Sequence, residues 1–191
     1  MVVAALVAPW APLVVGDGLA VDAAPSRIQA AASALQPAQR LRPVPPYNFP
    51  VQPTPRCLVL DNFGDPRSGG RRHEGTDIMA NLGQEIYAMA DGVLSYQARV
   101  GDGTSGSPLS GNLWKLTAAD GTYYVYAHLS AFAPGLERGM WVHRGQLLGW
   151  VGDTGNPGPG NYHLHFEYHP GGGAAVNPIP YLSLPAGCRV G

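Results

Sequence analysis

The sequence predicts an all-β domain, an antiparallel β-sandwich, preceded by a Pro-rich N-terminal arm. Three observations lead there. Between Cys57 and Gly191 no stretch keeps its apolar residues at a sustained helical spacing of about 3.6. The apolar residues fall instead in short runs, several of them alternating with polar residues and closed by Gly or Asp-Gly. Charged residues make up only 13% of the 191-residue chain, which holds 26 glycines and 19 prolines. That mixture suits turns between short strands better than long helices.

The length allows one domain with a sizeable core plus a tail or linker. Residues 1–23 are expected to be a signal peptide. The stretch from Val2 to Val15 is apolar and uncharged, but it is interrupted by Pro9 and Pro12 and falls short of the roughly 20 residues of a spanning helix. It suits a signal-peptide apolar core, with Val21-Asp22-Ala23 offering small residues for cleavage, although no basic residue precedes it. Export to the cell envelope or the medium, with no stable membrane span, is the corresponding expectation. Residues 24–55, first Ala-rich and then studded with prolines, read as a spacer.

The domain proper is expected over 56–191. Residues 85–97 read as two short strands around Asp91-Gly92, and residues 113–129 as a hairpin turning at Asp120-Gly121. Gly139, Gly145, Gly149, Gly152 and Gly155 punctuate two further strands. Cys57 and Cys188 lie near the two ends of the domain. An even count in an exported chain favours a bridge, which would add on the order of 4 kcal/mol in the chain-entropy picture; the alternative is two buried thiols. The formal net charge is −1 and the basic residues are scattered, with only Arg71 and Arg72 adjacent. Nothing there would neutralise a row of phosphates, so nucleic acid is not an expected partner.

Three places carry candidate chemistry. In Arg71-Arg72-His73-Glu74-Gly75-Thr76-Asp77 the surrounding glycines argue against a helix, and in an extended segment the even spacing puts His73 and Asp77 on one side. In Asn161-Tyr162-His163-Leu164-His165-Phe166-Glu167-Tyr168, the polar His163, His165 and Glu167 alternate with apolar residues, as on a strand with one face in the core. Two histidines on one strand face lie roughly 7 Å apart at their Cα atoms, close enough to share a site. In Tyr123-Tyr124-Val125-Tyr126-Ala127-His128-Leu129, strand alternation puts Tyr124, Tyr126 and His128 on one face. Four histidines and an aspartate exceed what a three-ligand zinc site needs; spacing alone does not say which of them bind.

Taken in order, His73-x-x-x-Asp77, Tyr126-Ala127-His128-Leu129 and His163-Leu164-His165-Phe166-Glu167 resemble the motifs of the lysostaphin-type (LytM-like) zinc metallopeptidases. The framework agrees at Gly64, at Ala90-Asp91-Gly92-Val93, at Gly139-x-x-Val142-x-x-Gly145-Gln146, and at Gly149-x-Val151-Gly152-x-Thr154-Gly155. The resemblance implies an all-β fold of the duplicated-hybrid-motif type and a monomer that cuts peptidoglycan peptides, either glycine-rich bridges or stem-peptide cross-links. It also implies Zn2+ held by His73, Asp77 and His165, with His128 and His163 beside it as the catalytic pair. Such an ion activates water near neutral pH and polarises a carbonyl, while the two histidines handle protons.

Glu167 is placed either to orient a ligand imidazole or as a plain surface carboxylate. His143 and His169 fall outside the motifs and are expected to be solvated. Tyr124 and Tyr126 are expected to line the substrate groove. Some members of that family carry a tyrosine shortly before the first ligand, and here none lies between Asn62 and His73; Arg67, Arg71 or Arg72 would instead offer a fixed positive charge to the oxyanion or to a substrate carboxylate. Two other classes compete: a catalytically silent wall-peptide-binding regulator, for which a missing ligand would be the mark, and a histidine phosphocarrier of similar architecture, which would lack the His-x-x-x-Asp pair.

Overall fold

The computed structural model describes residues 48–100 and 108–191. The predicted signal peptide and most of the predicted spacer lie outside the described residues. The strands, in chain order, are β1 (Leu58–Val59), β2 (Thr76–Met79), β3 (Glu85–Tyr87), β4 (Gly92–Ala98), β5 (Asn112–Thr117), β6 (Tyr123–Phe132), β7 (Trp141–Val142), β8 (Leu147–Val151), β9 (His163–His169) and β10 (Arg189–Val190). Helical structure among the described residues is confined to three short 3-10 turns, as the missing helical period predicts.

The strands form one hydrogen-bonded network in the order β10-β1-β2-β9-β6-β5-β4-β7, with β8 joining β6 to β3. Every pairing between named strands is antiparallel except β1 with β10. The hairpin turning at Asp120-Gly121 is present: β5 and β6 pair directly, and Asp120 Oδ1 accepts the Thr122 N–H at 2.9 Å. The two strands within 85–97 do not pair with each other; β3 joins β8 and β4 joins β5 and β7.

One sheet face is the core. Along β9, Leu164 and Phe166 are buried against Ile78, Trp114 and Tyr126. Fully burying such a side chain contributes about 1.5–3 kcal/mol. Two polar groups enter this core with partners, as buried polar atoms must: Trp114 Nε1–H donates to Leu148 O at 3.2 Å, and the Tyr126 hydroxyl accepts the Met89 N–H at 2.9 Å.

The core reaches back into the stretch read as spacer. Phe49 and Val51 are buried, Val51 bridges Ile86, and Pro50 O accepts the Tyr87 N–H. Phe49 and Val51 sit among prolines, without the periodic run that marks a strand, so their sequence gave no sign of this role. At the other end Cys57 and Cys188 are bridged, with Cα atoms 4.7 Å apart, fastening the segment entering β1 to the segment entering β10.

Candidate metal and catalytic site

The site lies on the sheet face opposite the core, where β2, β9 and β6 run side by side. Register does much of the assembly: Asp77 on β2 is directly opposite His165 on β9, and His165 is opposite Ala127 on β6. The alternation that buries Leu164 and Phe166 therefore turns His163, His165 and Glu167 towards Asp77. His73, just before β2, is held by backbone bonds to Gly64 and Asp65.

His73 Nε2, Asp77 Oδ1 and His165 Nδ1 converge, with separations of 2.8 Å between the two nitrogens and 3.2 Å from each nitrogen to the oxygen. Each donor is oriented from behind. His73 Nδ1 lies 2.9 Å from Asn62 O; a carbonyl only accepts, so that nitrogen carries the proton and Nε2 presents a lone pair. His165 Nε2–H donates to Glu167 Oε1 at 2.9 Å, leaving its Nδ1 as a lone pair. Asp77 Oδ2 accepts from Asn62 Nδ2 at 2.7 Å and from Arg67 Nη2 at 3.3 Å, which frees Oδ1 for the triangle.

Two nitrogen lone pairs and a carboxylate oxygen facing one another satisfy each other only through a shared proton or a cation. Donors of a tetrahedral zinc site, at about 2.0–2.2 Å from the ion, lie about 3.3–3.6 Å apart. The triangle reaches that by opening a few tenths of an ångström, so these residues fit the ion. Electrostatics agree. Burial alone would raise Asp77, but hydrogen bonds from His165 and His73 outweigh it and hold the carboxyl far below the usual carboxylate range. Burial opposes charge on His165, yet hydrogen bonds to Asp77 and Glu167 raise it to about 9.

His128 and His163 face this triangle. Their rings are 4.8 Å apart in an edge arrangement, His128 is 5.9 Å from the His165 ring, and His163 Nε2 is 3.7 Å from Asp77 Oδ1. His128 reaches this face by breaking the strand rule. Between Tyr126, opposite Trp114, and Leu129, opposite Asn112, β6 carries one residue more than β5, and His128 in that bulge has φ of 66°. Strict alternation would point it to the core with Tyr126; the left-handed backbone turns it out. The expectation that Tyr124, Tyr126 and His128 share a face is therefore corrected. Tyr126 is core, Tyr124 stacks on Phe166 and Tyr168, and neither lines the groove.

Both histidines of this pair are anchored through Nδ1, His128 to Thr154 O at 2.8 Å and His163 to Asn161 O at 2.9 Å. Each therefore presents an Nε2 lone pair. Burial, helped by the neighbouring His163, pushes His128 down to about 4, and burial also lowers His163.

Glu167 is no plain surface carboxylate. Its second oxygen accepts from His169 Nε2 at 2.8 Å, and His169 in turn bonds Gly173 O at 3.0 Å and stacks on Tyr123. His169, expected to be solvated, is buried; its odd parity on β9 puts it on the His165 face, the signal that could have found it. His143 is exposed, 3.6 Å from the equally exposed Asp91. Asn62, which supports two ligands at once, carried no sequence signal at all. The resulting groove, about 340 Å³, is lined by all five candidate residues together with Arg67, Arg71, Arg72 and Glu74.

The pattern of peptidase family M23 matches residues 71–178. The chain belongs to this family. This M23 chain is 35% identical over 150 residues to the L-Ala–D-Glu endopeptidase of Bacillus subtilis (strain 168), covering 71% of the chain and 43% of that protein. It is 33% identical over 124 residues to the murein hydrolase activator NlpD of Salmonella dublin, covering 65% and 29% respectively. The chain spans less than half the length of either of these curated relatives. Among solved structures, the catalytic domain of the antimicrobial peptidase lysostaphin from Staphylococcus simulans aligns with a TM-score of 0.51 at 28% identity, over 64% of this chain and 90% of that one. The lysostaphin-type resemblance and the all-β fold thus hold. M23 is a family of zinc metallopeptidases, and a His-Asp-His group able to hold a metal ion, His73, Asp77 and His165, is present here.

Proposed function

We propose that this chain is an exported, zinc-dependent endopeptidase that hydrolyses peptide bonds of peptidoglycan, with His73, Asp77 and His165 as ligands and His128 and His163 as the proton-handling pair. One observation carries the reading. Four imidazoles each commit one nitrogen to an oxygen acceptor, and of the four nitrogens left, two meet at Asp77 Oδ1 while two belong to the histidines facing it. A structural histidine cluster has no need of that division.

When bound, zinc supplies Lewis acidity and brings the pKa of water towards about 7. The chain's own residues do the rest. His128 and His163, neutral with Nε2 turned to the groove, accept the proton of the attacking water. Once protonated, the same Nε2–H stabilises negative charge on the former carbonyl oxygen and delivers a proton to the leaving amine. Asn62 and Arg67 keep Asp77 aimed, and Glu167 fixes the His165 tautomer. Export is supported by the apolar N-terminal stretch and by the disulfide, which persists in oxidising compartments.

A relative named as a murein hydrolase activator makes a silent wall-binding regulator the second reading. The complete donor set argues against it.

The test is mass spectrometry of fragments released from purified peptidoglycan by the chain, with zinc, with chelator, and as His128→Ala. The expected result is zinc-dependent release that His128→Ala lowers by about 100- to 10,000-fold. Stoichiometric zinc with no release would reject the peptidase reading in favour of the regulator.

A further inference from the structure

One wall of the groove enters the chemistry above only through Arg67. Residues 66–72 form a small hairpin: Pro66 bridges Arg72, Arg67 N–H donates to Arg71 O at 2.9 Å, and the chain reverses through Gly69 and Gly70 with φ of 74° and 73°. It carries Arg67, Arg71 and Arg72, and all three line the groove. Arg67 is tied to Asp77. Arg72 spends one Nη1–H on Gly64 O at 3.0 Å and keeps the rest of its fork. The Arg71 side chain bonds to no protein group among the described residues.

Among the described residues, Leu109, Ser110, Asn156, Pro157 and Asn161 also line the groove and are uncharged. Of the groove's acids, Asp77 belongs to the donor triangle and Glu167 is held by His165 and His169. Glu74 alone stays uncommitted against two available guanidinium groups.

Resting on the peptidase reading, we infer that this hairpin is a carboxylate-binding wall, and that the substrate is a stem peptide with a free carboxylate beside the scissile bond, not a glycine bridge. A guanidinium fork matches a carboxylate with two parallel hydrogen bonds, and Arg71 and Arg72 offer two forks within the groove. When the amine of a glutamyl residue forms the scissile bond, one of its carboxyls continues the chain and the other stays free on the residue that carries the scissile nitrogen. A glycine bridge has no such group. The two wall-peptide classes therefore differ by one negative charge at the place where the wall is positive.

The experiment compares three synthetic peptides on the zinc-loaded full chain: one with an L-Ala–D-Glu bond and the spare carboxylate free, the same peptide with that group as a carboxamide, and pentaglycine. Binding is read by calorimetry on His128→Ala to prevent turnover, and cleavage on the wild-type chain. The free acid is expected to bind about tenfold more tightly than the amide at low salt, as for a partly exposed charge-assisted pair. The difference should shrink by 1 M salt, where screening acts within about 3 Å. Arg71→Gln with Arg72→Gln, added to the same background, should bind acid and amide alike, with an unchanged melting temperature showing that the fold is kept. Equal binding of acid and amide to the arginine-bearing protein, or discrimination that survives both substitutions, overturns the inference. Cleavage of acid and amide alike would reject the wall and leave the peptidase. Preference for the acid in binding with no cleavage would uphold the wall and reject the peptidase.

Discussion

Replacing Glu167 by Ala is the perturbation whose cost the structure lets one work out most fully. Glu167 gives one oxygen to His165 Nε2 at 2.9 Å and the other to His169 Nε2 at 2.8 Å. Burial would raise its carboxyl, but the bonds and charges of the two histidines hold it below the usual range. Without it, the His165 N–H loses its acceptor and the imidazole becomes free to swing or change tautomer. A lost charge-assisted hydrogen bond costs about 1.5–3 kcal/mol. Loss of a carboxylate behind a ligand histidine lowers metal affinity about 10- to 100-fold, about 1.4–2.8 kcal/mol, so the two routes agree. Glu167→Ala is therefore expected to raise the zinc Kd by 10- to 100-fold. Glu167→Gln should fall in between, because an amide offers an acceptor to one imidazole and a donor to the other. Competition against a chromophoric chelator measures the Kd, with a melting curve of the metal-free protein to establish folding. A folded Glu167→Ala chain with a zinc Kd within about threefold of wild type would refute the reasoning, since it would put the change below the range for such carboxylates.

Other perturbations follow from the same packing. A Cβ on Gly75 would sit 2.4 Å from Phe166 O and 2.9 Å from His165 Cε1; Gly75→Ala is expected to cost about 1–3 kcal/mol in a urea titration and to weaken zinc binding with it. A chain starting at residue 56 loses buried Phe49 and Val51 and should unfold at lower urea, at a cost of about 3–6 kcal/mol by burial of two such side chains. The Cys57–Cys188 bridge spans 131 residues, so Cys57→Ser with Cys188→Ser should lower unfolding free energy by about 2–5 kcal/mol; a loss well under 1 kcal/mol would show that the bridge contributes little.

The fold was legible where alternation is strict. β9 reads off the sequence, because His163, His165 and Glu167 face one way while Leu164 and Phe166 face the core, and the Asp120-Gly121 turn announces its hairpin. The same rule misassigned β6. Its aromatic run alternates as faithfully, but one extra residue at the bulge reverses the parity, so Tyr126 went to the groove on paper and into the core in fact. A bulge is set by the ladder on the neighbouring strand, and β6 alone carries no sign of it. Phe49 and Val51 were hidden for a related reason, since isolated apolar residues among prolines have no period and their burial depends on β3. The ligand candidates were visible as residue types at suggestive spacings. Their support by Asn62 was not, because that depends on which side chains the register brings behind them, and His169 was announced only by its parity on β9.

The row from Asp77 through His165 to Ala127 has a consequence for how such a site is filled. The strands carrying Asp77 and His165 keep the interstrand distance, about 4.8 Å, on a scaffold whose apolar residues are already buried on the opposite face. Such a site is preorganised, and little conformational freedom remains to be lost when an ion arrives. Domains nucleated by zinc behave the other way and unfold when stripped. Here a chelator should empty the triangle and leave the sheet standing, so that on the peptidase reading loss of metal would lower activity without lowering stability.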